Sequence, residues 1–236
     1  MEPLDQDVRN QFSLENALVQ QQEFITKVYG WMSVALVITG IVAYLTATSP
    51  AILQFIFGIP YMFMGLLIGE VLLVIGLTSM INKMSAATAT FIFVLYSVIN
   101  GLTLSVIFLV YTQGSISLTF FVTAITFGTM SAYGYFTKKD LTTWGNLLMM
   151  ALVGLVIASV VNLFMKNEIL YWVTTYAGIL IFVGLTAYDT QKIKNMNMAG
   201  VDGETSRKGA IMGALTLYLD FINLFLLLLR LFGRRK

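Results

Sequence analysis

The chain has 236 residues, 58% hydrophobic and 11% charged, with a net charge of +2 and neither cysteine nor histidine. A soluble domain carries about a quarter charged residues, so most of this surface faces lipid. The two missing residue types exclude disulfides, Cys- or His-ligated metals, His-based triads and an imidazole pH switch, and no basic patch with interleaved aromatics points to nucleic acid.

Met1 to Glu23 is polar and carries five acids. It lacks the basic start and short apolar run of a secretory signal. Residues 1–26 are therefore read as a cytoplasmic segment, and the first apolar run as a retained anchor. A helix needs about 20 apolar residues to cross the hydrocarbon core. The first span is predicted over Val28–Thr48, followed by a non-helical hairpin region marked by Ser49-Pro50 and Gly58-Ile59-Pro60. The second span covers Tyr61–Asn82. Met84 to Thr137 is free of charge, long enough for two spans, and Gln113-Gly114-Ser115 divides it into Ala86–Thr112 and Ser117–Phe136. Lys138-Lys139-Asp140 closes it. Leu141–Met165 is the fifth span, Lys166-Asn167-Glu168 a tight turn, and Leu170–Thr190 the sixth span. Gln191–Lys208 is the longest internal loop, and Gly209–Leu229 the seventh span. The fold class is all-α, a polytopic membrane protein, with a transmembrane domain over 27–231 and a basic tail over 232–236. Strands are excluded because the runs do not alternate apolar and polar residues.

Basic residues set orientation. Arg9, Lys27, Lys83, Lys138, Lys139, Lys192, Lys194, Arg207 and Lys208 fall on one side. Lys166, Arg230, Arg234, Arg235 and Lys236 fall on the other. The N-terminus is placed in the cytoplasm. The basic tail then conflicts with an odd number of crossings, so the last segment either crosses fully or re-enters.

Of the twelve acids, Glu70, Asp189 and Asp220 fall inside spans. An ionised carboxylate at mid-bilayer costs about 2.5–3.5 kcal/mol or more. Each must face the bundle interior, pair or become neutral. Glu70, mid-way along the second span, is either a structural acid bonded to polar groups such as Asn100 or Asn162, or part of an ion path. Asp189 lies near the cytoplasmic end of the sixth span. Asp220 lies near the centre of the seventh, with Asn223 one turn on along the same face, a second candidate for the path. The two aspartates sit on consecutive antiparallel helices and can meet. Asp220 is several ångströms deeper unless the sixth helix runs past Thr190 or water enters from below. Gly101, Gly128, Gly154, Gly178 and Gly184 are read as small residues that let helices approach.

Three stretches carry a resemblance: Lys27-Val28-Tyr29-Gly30-Trp31-Met32; Thr137-Lys138-Lys139-Asp140-Leu141 with Ile157-Ala158-Ser159-Val160-Val161-Asn162-Leu163-Phe164; and Tyr188-Asp189-Thr190-Gln191-Lys192-Ile193 with Leu217-Tyr218-Leu219-Asp220-Phe221-Ile222-Asn223-Leu224-Phe225. Together they resemble the Bax inhibitor-1 family in its bacterial branch. The resemblance implies seven helices with the seventh central, enclosed by the other six, in the bacterial inner membrane. It implies a pH-responsive calcium leak and makes Asp189 and Asp220 the sensing pair. A basic latch residue toward the end of the second helix is also implied; here Lys83 is the candidate, and no arginine is present there.

The chemistry of the pair agrees. Two close carboxylates in a low dielectric cannot both ionise cheaply, so they titrate as a unit. Ionised, they offer hard oxygen ligands suited to Ca²⁺, without the full cage that would trap it. The expected cofactor set is therefore no tightly bound group, with calcium as the transported ion. The expected partners are the bilayer, calcium and a membrane protein, with no nucleic acid. Two other readings compete. An intramembrane aspartyl protease also places a Tyr-Asp pair beside a second aspartate, but Leu217-Tyr218-Leu219 replaces its Gly-x-Gly and no proline follows Pro60; the chain is expected not to be an enzyme. A regulatory protein acting on a membrane protease or stress machinery is the alternative function.

Overall fold

The structure, a computed structural model, describes residues 3–196 and 201–236, with side chains from residue 15 on. The described helices are α1 (Pro3–Thr48), α2 (Pro50–Gly58), α3 (Met62–Met80), α4 (Ala86–Leu104), α5 (Val106–Val110), α6 (Gln113–Phe136), α7 (Thr142–Met165), α8 (Glu168–Lys194) and α9 (Gly203–Phe232), with a 3₁₀ turn over Ile81–Lys83. Seven units are long and apolar enough to cross a bilayer: α1, α3, α4 with α5, and α6 to α9. Helices are required here because hydrocarbon offers no partner for open backbone groups.

Several predicted loops are helix ends instead. Pro50–Gly58 is helical, not an open hairpin; Pro50 occupies the first turn, where its missing N–H costs nothing. Gln113 begins α6, because Thr112 accepts the Ser115 N–H as a cap. The third span breaks at Ser105, whose hydroxyl donates to Leu102 O at 2.6 Å. Most of the predicted Gln191–Lys208 loop is also helical. Lys192 and Lys194 fall in the last turn of α8, where cations suit the helix dipole. Asp202 caps α9 by accepting the Thr205 N–H. That bond and the Thr205 hydroxyl hold the Asp202 carboxyl below its usual range. Residues 197–200 of the predicted loop lie outside the described residues. The boundary at 26/27 does not interrupt the backbone, since α1 is continuous and Phe24 is already buried in the core.

α9 is the central helix. Of its most apolar 18-residue stretch 67% is buried, against at most 39% for the corresponding stretch of any other span. It packs on α1, α4, α6 and α8, while α3 leans on α4 and α7 on α8. Four helices, not six, therefore make its main contacts. Inside a bilayer, lipid tails are as apolar as leucine, so close packing and polar bonds hold helices together. Phe93, Tyr96, Phe127, Tyr218 and Phe221 meet in the core. Phe93 and Tyr96 stand edge-on to Tyr218 at 5.9 and 5.7 Å between ring centroids.

α9 has 30 residues, about 45 Å of helix, enough for a full crossing. The tail beyond it returns to the α5–α6 turn. Thr112 N donates to Arg234 O at 3.0 Å, and Lys236 N to Val110 O at 2.9 Å. The basic tail thus sits with the α5–α6 turn, across the membrane from the α8–α9 connection. With the N-terminus inside, an impermeant thiol reagent will label Ser206→Cys only after permeabilisation, and Lys166→Cys in intact cells. The reverse pattern would invert the topology.

Candidate functional site

Asp189 and Asp220 are brought together. They are 6% and 5% exposed, and their carboxyl groups are within side-chain hydrogen-bonding reach of each other. Asp220 Oδ2 has no donor among the described residues. Carboxylates only accept, so this contact bonds when one partner carries a proton. Lys192, one turn along α8 from Asp189, is a nearby exposed cation on the same helix.

Close helix packing makes the meeting possible. A Cβ on Gly134 of α6 would run into the Ala187 carbonyl of α8, two residues before Asp189. The side chain of Ile193 lies beside Gly213, 3.4 Å from where a Cβ would sit. From that level Asp189 is four residues deeper along α8 and Asp220 seven along α9, about 6 and 10 Å respectively. The expected mismatch in depth is therefore about 4 Å, and two side chains can close it. It stays small because α8 continues past Thr190 to Lys194. Around the pair's outer edge, Thr190 bonds to Tyr29 at 3.2 Å and to Ser131 at 3.3 Å. Gln191 accepts from Leu141 N and donates to Lys139 O, both at 2.8 Å. On the opposite flank, Glu204 Oε1 accepts the Ala86 N–H at 2.8 Å, tying the start of α9 to the start of α4.

Glu70 forms a separate centre. Thr103 donates to its Oε1 at 2.6 Å and Asn100 to its Oε2 at 3.2 Å. Asn162, the other expected partner, is occupied elsewhere: its Oδ1 accepts Asn167 N at 2.9 Å in the α7–α8 turn. Glu70 and Asn223 line one cavity of about 540 Å³ between α3, α4 and α9. Asn223 also borders a cavity of about 740 Å³ between α7, α8 and α9, with Lys166, Glu168 and Arg230 at its polar end. The two candidates for an ion path are thus joined, while neither cavity is lined by the aspartates. Lys83 is not brought to the pair. It is exposed in the 3₁₀ turn, because α3 lies outside α4 and away from α8.

Among the described residues no three metal-ligating side chains cluster. The pair can offer a cation two carboxyl groups, which suits passing contact more than a resident site. Of the glycines read as packing positions, Gly101, Gly178 and Gly184 are tightly opposed, whereas Gly128 and Gly154 face open space. Gly134 and Gly145, the latter under the Tyr188 ring, are two further glycines that pack closely. Tyr218 is a further residue that motif spacing does not mark. The available signal was a phenol in an otherwise apolar helix centre, because a buried tyrosine hydroxyl needs a partner.

A family model described as "Inhibitor of apoptosis-promoting Bax1" matches residues 21–236. The chain is 52% identical over 233 residues to the inner membrane protein YbhL of Escherichia coli strain K12, covering 96% of this chain and 100% of that protein. It is 46% identical over 217 residues to an uncharacterized protein of Borreliella burgdorferi, covering 92% and 94%. It is 42% identical over 217 residues to the uncharacterized protein RP147 of Rickettsia prowazekii, covering 91% of each. Seven apolar helices and these matches make it an integral inner membrane protein. The chain belongs to the Bax inhibitor-1 family.

Proposed function

We propose that the protein is a calcium leak across the inner membrane, gated by protons at Asp189 and Asp220. The observation that carries this reading is the buried contact between two carboxyl groups on adjacent antiparallel helices. With one proton shared, the pair ties α8 to α9 through a charge-assisted bond, stronger than a neutral one. A second proton removes that charge-assisted tie, and the helices part. Acidification therefore opens the path. The enclosed pair, bordering neither cavity, fits a shut state. Beyond the gate, Glu70 and Asn223 supply oxygen to the passing ion.

Purified protein in liposomes tests this. Calcium flux should rise as pH falls from 8 toward 6, and a peptide substrate should remain uncut. No flux at any pH from folded protein would overturn the leak; cleavage would favour the protease reading.

Glu70→Gln is isosteric and should fold: its amide oxygen can accept from Thr103 while its NH2 donates to an Asn100 amide that has turned over, with Tyr218 donating to Thr39 instead. Without the negative charge, flux should fall several-fold. Normal flux from well-folded Glu70→Gln protein would remove Glu70 from the path.

A further inference from the structure

Asn100 touches two groups with opposite needs. Its Nδ2 donates to the Glu70 carboxylate at 3.2 Å, and its Oδ1 accepts from the Tyr218 hydroxyl at 3.0 Å. A carboxylate accepts and never donates, so only this orientation of the amide puts a donor against Glu70. The opposite orientation sets oxygen against oxygen. The hydroxyl that holds the amide belongs to α9, two residues before Asp220, and Tyr218 is 0% exposed.

We propose that Tyr218 is the positioning residue for Glu70: by donating to the Asn100 amide oxygen it turns the amide so that a donor faces the carboxylate. Its ring is clamped edge-on by Phe93 and Tyr96, so the hydroxyl's place is set by packing. That hydroxyl also meets Thr39 Oγ1 of α1 at 2.7 Å, and Thr39 in turn donates to Ser97 O at 2.9 Å. Tyr218 carries one proton and has two acceptors within reach. Donation to Asn100 orients the amide; donation to Thr39 releases it.

The prediction for flux rests on Glu70 lying in the ion path; the spectroscopic one does not. In infrared spectra, the Glu70 carboxyl band is identified by its loss in Glu70→Gln protein. Tyr218→Phe keeps the ring and removes one hydroxyl, so the band should shift as the Asn100 donor is no longer held against the carboxylate. Thr39→Val removes the competing acceptor and should leave the band in place. Flux from Tyr218→Phe should fall in the same direction as from Glu70→Gln, and the double variant should add less than about twofold, because the two act through one amide. An unshifted band in folded Tyr218→Phe protein, or an equal shift in Thr39→Val, overturns the assignment. Wild-type protein without flux overturns the leak and leaves the infrared comparison to decide the role of Tyr218.

Discussion

Replacing either Asp189 or Asp220 with asparagine will flatten the pH dependence of calcium flux. In the wild type a gate opened by one proton changes flux by at most about tenfold per pH unit, the limit set by binding a single proton. The sign follows from the contact. Protons bind more readily to the open arrangement, where the shared bond that favours a single proton has been given up, so lowering pH favours opening. An asparagine cannot take part in that titration, and the slope of log flux against pH should fall toward zero. The double variant should add little to either single one, because the two groups act as a unit. Cation binding at the pair should weaken over the same range, since protons and calcium compete for the same oxygens. Additive single effects, or an unchanged pH profile in either variant, would rule out a shared gate.

Gly134→Val will destabilise the bundle, by about 1–3 kcal/mol or more on the scale of overpacked cores. The added carbon meets the carbonyl and Cα of Ala187. These are backbone atoms of α8, so no change of rotamer relieves the contact. The helices must separate at the level that positions Asp189. Thermal unfolding in detergent should show the loss, and the surviving protein should respond weakly to acid. Gly128→Ala, on the same helix and facing open space, is the matched control. It should be neutral, or stabilising by up to about 1 kcal/mol through helix propensity. Equal losses in both would mean that the close approach of α6 to α8 is not what holds this region.

The sequence by itself determined the class of the protein and the identity of its unusual charges. Long apolar runs have one stable solution in a bilayer, so the seven spans could be read directly. A carboxylate in such a run is costly wherever it points, so Glu70, Asp189 and Asp220 stood out without any coordinates. Helix ends were less legible. Asn167 and Asp202 look like loop residues by composition, and they are caps whose side chains bond backbone N–H groups three residues on.

Tertiary structure decided which polar groups meet. Asn100 and Asn162 were equal candidates for Glu70, because each is a lone amide in an apolar helix. Helix packing gave Glu70 to Asn100 and left Asn162 in a turn. The same kind of contact separated Gly134 from Gly128, six residues apart on one helix: one faces a carbonyl of α8, the other faces open space. A local pattern cannot distinguish them, because the difference lies in which helix stands opposite. Tyr218 became visible for the same reason. Its importance rests on a hydrogen bond to a residue 118 positions away, a separation that only the packed bundle closes.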